Sequence, residues 1–189
     1  MKELSLNILD ISQNSVKAGA ACIDISITET EDTLEIMIDD DGCGMPREML
    51  ENVLDPFCTT RTTRNVGLGL PLFKDAAEQT GGYLEIQSTT AQEDPEYHGT
   101  TVTALFHKDS IDFTPLGDIA STIVTCVQGA PDIHWIFTHT MPDKTIELDT
   151  DEMKEILGDI PLNNLEVVKW LTDYLLEEYE GEGEDEGDE

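Results

Sequence analysis

From Cys22 to Gly42 the chain reads "CIDISITETEDTLEIMIDDDG", in which Ile23, Ile25, Ile27 and then Leu34, Ile36, Ile38 alternate with polar residues around a polar turn. A period of two sends successive side chains to opposite faces of a strand, so this segment is expected to be an antiparallel hairpin with one buried face. A half-buried hairpin needs an apolar cover. The helical patterns on either side supply candidates.

Leu6 to Ala21 reads as the first of these helices. Leu6, Leu9, Val16 and Ala20 fit an apolar stripe, while Asp10, Asn14 and Lys17, four and three residues apart, share a polar face. After the hairpin, "PREMLENVLDPF" is a short helix with Pro46 in its first turn. Thr59 to Gly69 lacks periodicity and reads as a loop; "LPLFKDAAEQTGG" is a helix ending at Gly81-Gly82, and "YLEIQS" and "TTVTALFH" are strands. From Asp109 the pattern restarts: a helix in "PLGDIASTIVTCVQGAP", strands in "DIHWIFTHTM" and "TIELDT", and helices in "DEMKEIL" and "NNLEVVKWLTDYLLEEY". These segments define a domain over 1–109 and a small α/β extension over 110–178. The second hairpin cannot bury its own face and is expected to lean on the first domain.

Charge narrows the partners. The chain carries 41 acidic and 10 basic residues, a net charge of −31. Residues 179–189 read as an acidic disordered tail, too polar and self-repelling to order alone. The acidic body disfavours nucleic acid and anionic membranes. No uninterrupted apolar run approaches the roughly 18 residues of a membrane span, and the N-terminus lacks the pattern of a secretion signal, so a cytoplasmic location is expected. Cys22, Cys43, Cys58 and Cys126 form no CxxC and read as free thiols.

Two glycine clusters carry chemistry. The hairpin's second strand ends in "IDDDGCGM", where Asp40 precedes Gly42 and Gly44: a buried carboxylate there can accept a hydrogen bond from an exocyclic amine, with glycines letting a base approach the backbone. "NVGLGL", Asn65 to Leu70, enters a helix and can cradle phosphate with its N–H groups. It lacks the Lys-Ser ending of a P-loop and does not follow a strand, as a dinucleotide-binding turn would.

In order, "DISQNSVKAGA", "DDGCGM", "DPFCTTR", "NVGLGLPLFKDAAEQTGG" and "HGTTVTALF" resemble the N, G1, F, G2 and G3 boxes of the GHKL superfamily, the ATP-binding domain of histidine kinases, anti-sigma-factor kinases, MutL, gyrase B and Hsp90. The resemblance implies the Bergerat fold, a two-layer α/β sandwich whose mixed, largely antiparallel sheet carries helices on one face, here with a small α+β C-terminal unit. It further implies ATP and magnesium as ligands. Asn14 would ligate the metal, Lys17 and Arg61 would approach the phosphates, and Asp40 would bind adenine beside Gly42 and Gly44. Thr60, Gly67, Leu68 and Gly69 would complete the phosphate side, and Gly99 and Thr100 would close the adenine pocket. Residues 59–66 would form the lid.

Asp10 stands where many family members place a Glu general base, one methylene longer. A misplacement of ~1 Å can cost on the order of 100-fold in rate, so efficient hydrolysis is not expected. None of His98, His107, His134 or His139 is followed by Asp or Glu, so autophosphorylation on a kinase-type phosphoacceptor His is not expected either. The resemblance points to a stand-alone magnesium-ATP-binding, histidine-kinase-like module that phosphorylates or regulates a partner protein the sequence does not identify. A nucleotide-sensing interaction protein without phosphotransfer and a slow ATPase are the alternatives, which leaves open whether the chain is an enzyme. The whole chain, including "PLGDIA" and "LGDIPLNN", also resembles stand-alone ATP-binding proteins encoded near iron hydrogenase subunits, which implies hydrogenase-associated proteins as a partner class.

Overall fold

The alternating segment forms β1 (Cys22–Glu29) and β2 (Thr33–Asp40), paired antiparallel with Ile25 opposite Ile38 and Ile27 opposite Ile36. The computed structural model describes residues 3–54 and 69–181. Its remaining elements are α1 (Leu4–Lys17), α2 (Arg47–Asn52), α3 (Gly69–Gln79), β3 (Tyr83–Thr89), β4 (Gly99–His107), α4 (Ile119–Gly129), β5 (His134–Thr140), β6 (Thr145–Asp149), α5 (Thr150–Leu157) and α6 (Leu165–Glu180). The strands form one mixed sheet in the order β3-β4-β2-β1-β5-β6, antiparallel at every pairing except β1 with β5.

One face of this sheet is buried. Ile23, Ile25 and Ile27 of β1, Leu34, Ile36 and Ile38 of β2, and Val102, Ala104 and Phe106 of β4 all lie in the core. Helices α3, α1, α4 and α6 pack side by side in that order, α3 against β3 and β4 and α1 against β2. The result is a two-layer α/β sandwich. Phe73 of α3 and Phe106 of β4 meet with ring centroids 5.5 Å apart. Burying such a side chain is worth about 1.5–3 kcal/mol, and the contact fixes α3, whose first turn faces the site described below.

Helix α1 is rotated from its expected stripe. Leu6 is 43% exposed, whereas Leu4, Ile8 and Ile11 are buried together with Ser5, Asn7, Ser12 and Ser15. Packed between α3 and α4 over the sheet, α1 buries more than one stripe, and small polar residues occupy the seams. Its N-terminus has no side-chain cap; instead the Leu4 and Ser5 amides donate to the carbonyls of Pro115 and Leu116, at 3.0 and 2.8 Å.

Residues 110–178 contribute to the same sheet. β5 lies parallel to β1, with Trp135 opposite Ile23 and Phe137 opposite Ile25, and buries both aromatic rings. Asp118, Asp149 and Asn164 cap α4, α5 and α6 by accepting amide hydrogens. α6 runs through Tyr179 to Glu180, so the first two residues of the expected tail are helical. The cause is a polar lock: Tyr179 hydrogen-bonds to His139 Nδ1 at 2.7 Å, and Lys144 donates to the carbonyls of Glu178 and Tyr179 at the end of the helix. Among the described residues no helix is long and apolar enough to cross a membrane.

Candidate functional site

Strand alternation carries the buried phase of β2 through Leu34, Ile36 and Ile38 to Asp40, a carboxylate where the pattern calls for an apolar side chain. Asp40 is 8% exposed. Its Oδ2 accepts the Ser15 hydroxyl at 2.5 Å and its Oδ1 accepts the Gly42 amide at 2.9 Å. Burial pushes the Asp40 carboxyl up from the usual range; the Ser15 and Gly42 hydrogen bonds pull it back in part, and neighbouring Asp39 adds to the rise. An ionised carboxylate offers about four acceptor positions, so this one has capacity left for a donor inside the cavity.

That cavity, about 220 Å³, opens beside Asp40. Ile11 of α1, Ile38 of β2, Val102 of β4 and Leu70 of α3 give it apolar walls, extended by Met45, Met49 and Val53. Asn14, Lys17 and Thr100 supply polar groups. A mostly apolar cleft with a few convergent polar groups is the usual form of a small-molecule site.

The loop after β2 is held from below. His98 Nδ1 lies 2.6 Å from the Gly42 carbonyl, to which it donates; the Met45 amide donates to Ser88 Oγ at 2.8 Å, and Ser88 in turn pairs with the Thr100 hydroxyl. Two glycines are needed for backbone packing. Gly44 has φ +70°, and a Cβ there would lie 2.0 Å from the Thr89 carbonyl oxygen. Gly99 has φ +141°, and its Cβ would lie 1.8 Å from the Asp40 carbonyl oxygen. A side chain at Gly44 would push the loop off the end of β3, and one at Gly99 would push β4 away from the end of β2.

Of the residues singled out from sequence, Asn14, Lys17, Asp40, Gly44 and Thr100 all line the cavity. Gly42 feeds Asp40 from the side, and Gly99 packs under its backbone. Asp10 is exposed one turn before Asn14 and lies against the start of α3, where a Cβ on Gly69 would be 3.3 Å from Asp10 Cβ. Thr60, Arg61, Gly67, Leu68 and the lid expected over 59–66 lie outside the described residues. Among the described residues no group of three or more His, Cys, Asp or Glu is placed to hold a metal ion.

Sequence reasoning missed four contributors. Ser15 was hidden because it interrupts the apolar pattern of α1 without adding a charge. His98 acts through a carbonyl 56 residues away, which no local pattern records. Met49 and Val53, in and just after α2, reach the cavity although that helix has no buried residue of its own.

The chain thus places a buried carboxylate at the end of a central strand, at a mostly apolar cleft that Asn14 and Lys17 of α1 also line. Comparison with known proteins gives it a family. Residues 2–110 match the histidine kinase-, DNA gyrase B- and HSP90-like ATPase family, and the chain belongs to it. It is 35% identical over 81 residues to the probable C4-dicarboxylate sensor kinase of Bacillus subtilis, an overlap that covers 43% of this chain and 15% of that protein. It is 30% identical over 115 residues to histidine protein kinase SaeS of Staphylococcus aureus, covering 57% of this chain and 31% of SaeS. The matched part is thus less than a third of either kinase's length. In fold the chain is similar to the Aquifex aeolicus MutL ATPase domain complexed with ADP, with a TM-score of 0.53 at 12% identity, covering 92% of this chain and 88% of that one. The N-terminal domain of a DNA repair protein gives the same TM-score at 16% identity, over 79% of this chain and 53% of the other.

Proposed function

We propose that this chain binds magnesium-ATP and acts as a histidine-kinase-like module that phosphorylates or regulates a partner protein. The observation that carries the reading is the buried Asp40 carboxylate, fed by Ser15 and Gly42 and opening into an apolar cavity. An adenine amino group donating to Asp40 would find its ring between Ile38, Val102 and Met45, and the Thr100 hydroxyl stands beside it. Family membership and the ADP-bound fold relative support the same ligand.

Asn14 and Lys17 follow on the same helix, Asn14 next to Ser15, so a nucleotide anchored at Asp40 would extend its phosphates past them toward the start of α3. The amide oxygen of Asn14 suits magnesium, which keeps most of its waters and asks few oxygens of the protein. Bound there, the metal would supply neutralisation of the phosphate charge. Lys17 adds a cation to the same end, and Thr60, Arg61, Gly67, Leu68 and Gly69 are proposed for the phosphate side. Asp10 faces the first turn of α3 and is the proposed general base for an acceptor hydroxyl or water; its short side chain favours slow turnover over rapid hydrolysis.

Residues 110–178 are proposed as the partner-facing extension. The test is to incubate the pure full chain with γ-labelled ATP, with and without cell extract. Label in a second protein is the outcome expected for a kinase-like module. Label in free phosphate alone would move the reading to a slow ATPase. Tight ATP binding with neither would make it a nucleotide sensor.

A further inference from the structure

A second constellation lies outside the cavity, at the start of β1 and β5 and on the sheet face opposite Ile23 and Trp135. Cys22 and His134 are register neighbours, and Cys22 Sγ is 3.7 Å from His134 Nδ1. The other ring nitrogen, Nε2, is 2.8 Å from Asp149 Oδ1. Asp149 is itself fixed as the cap of α5, accepting the Asp151 amide at 2.8 Å and the Glu152 amide at 3.4 Å. Burial draws Asp149 upward, but the His134 contact and those amides outweigh it and leave its carboxyl below the usual range.

An ionised carboxylate can only accept, so when the imidazole carries a single hydrogen the close Asp149 contact places it on Nε2. Nδ1 then presents its lone pair to the Cys22 thiol. Three side chains from different elements thus form a thiol–imidazole–carboxylate relay. Asp151 Oδ2, 3.5 Å from Nδ1, adds a second carboxylate that would stabilise the imidazolium, while Lys154 pairs with Oδ1 of the same group at 3.0 Å.

We propose that Cys22, His134 and Asp149 form a thiol-exchange site selective for small cationic disulfides. The Cys22 proton passes to His134 Nδ1, and the sulfur attacks one sulfur of the disulfide. The Cys22–S bond forms as the reagent's S–S bond breaks. The departing thiolate takes the proton back from the imidazolium, leaving a mixed disulfide on Cys22 and one free small thiol. The disulfide is the oxidant, and no other co-reactant is required.

Selectivity follows from the surroundings. Burial, and then Asp41, Asp24, Asp151 and Asp149, push the Cys22 thiol above its usual range, so it stays protonated and needs the imidazole as acceptor. The same carboxylates repel an anionic reagent. A cationic one compensates their field and stabilises the sulfur charge as it develops.

The test treats the full chain at low salt with cystamine, a dication, or oxidised glutathione, a dianion, and follows each cysteine by mass spectrometry. Exposed Cys43 is the internal reference and buried Cys126 the unreactive one. The rate at Cys22 relative to Cys43 should be about tenfold higher with cystamine than with oxidised glutathione, and the preference should shrink as salt screens the carboxylates. Asp149→Asn, which keeps a good helix cap, and His134→Gln should each slow Cys22 by at least about tenfold without changing Cys43. Three results overturn the proposal: Cys22 as inert as Cys126 toward both reagents, equal relative rates with the two charges, or a rate unmoved by Asp149→Asn in a protein that melts like wild type. If His134→Gln does not fold, the asparagine variant decides.

Discussion

Ser15 donates its hydroxyl to Asp40 across the junction of α1 and β2 at 2.5 Å, so the helix that carries Asn14 and Lys17 is registered directly on the carboxylate proposed to read the base. Moving one element moves both ends of the ligand site.

Asp40→Asn should weaken ATP binding by about 1.5–3 kcal/mol, the scale of a hydrogen bond to a charged group. Ser15→Ala should weaken it by about 1 kcal/mol, because Asp40 keeps its charge but loses a neutral donor that holds it in place. Calorimetry on folded proteins checks both. Unchanged affinity in Asp40→Asn would remove the adenine assignment.

The raised Asp40 carboxyl makes binding depend on pH. A donor amine favours the ionised form, so ADP affinity should be constant at high pH and fall as pH drops through the free protein's raised Asp40 value. The sign for folding is opposite. With a folded value above the unfolded one, the ligand-free protein binds more protons folded than unfolded in that window, and Asp40 costs stability as pH rises through it. Running Asp40→Asn in parallel cancels protonation of the phosphates; an identical pH profile in the two proteins would contradict the assignment.

Asp10 and Asn14 should separate kinetically. Asp10→Ala should abolish whatever turnover exists while sparing ATP affinity, since a base acts on the transition state more than on the bound ground state. Asn14→Ala should weaken magnesium-ATP binding itself. If the two variants lose affinity equally, the base label on Asp10 must be withdrawn.

His139 should give the fold its own acid sensitivity. It is 2% exposed, with Nδ1 on Tyr179 and Nε2 3.1 Å from Glu29, whose other oxygen pairs with Lys108 at 2.9 Å. Burial holds the imidazole below its usual range, outweighing Glu29, with Lys108 and Lys144 contributing in the same direction as burial. The unfolded chain therefore binds a proton first. Stability from this group is complete above about pH 6.5 and declines as pH falls from there toward the folded value. His139→Gln, which can still accept from Tyr179 and donate to Glu29, should flatten that decline in thermal melts between pH 7.5 and 5.5. A wild-type-like slope in the variant would show that the acid sensitivity lies elsewhere.

Much of this molecule was legible because its signals are local. The alternation of β1 and β2 appears where residues two positions apart require it. Even the burial of Asp40 can be read from its phase with Ile38. The phase of α1 could not, because Ser12 and Ser15 face the core and Leu6 faces out, against hydrophobicity, once neighbours cover the helix on more than one side. Nor could the link from His98 to Gly42, which joins two loops that no spacing relates. The parallel pairing of β1 with β5 was also hidden, since a strand's pattern shows that one face is buried and not which strand lies at its edge.

That pairing bears on how the protein can be handled. A fragment cut at residue 110 would retain the family-matched region but expose β1 from Cys22 to Thr28 as an open row of amides and carbonyls flanked by isoleucines. Such an edge is a template for another chain, and the fragment is expected to self-associate more readily than the full chain.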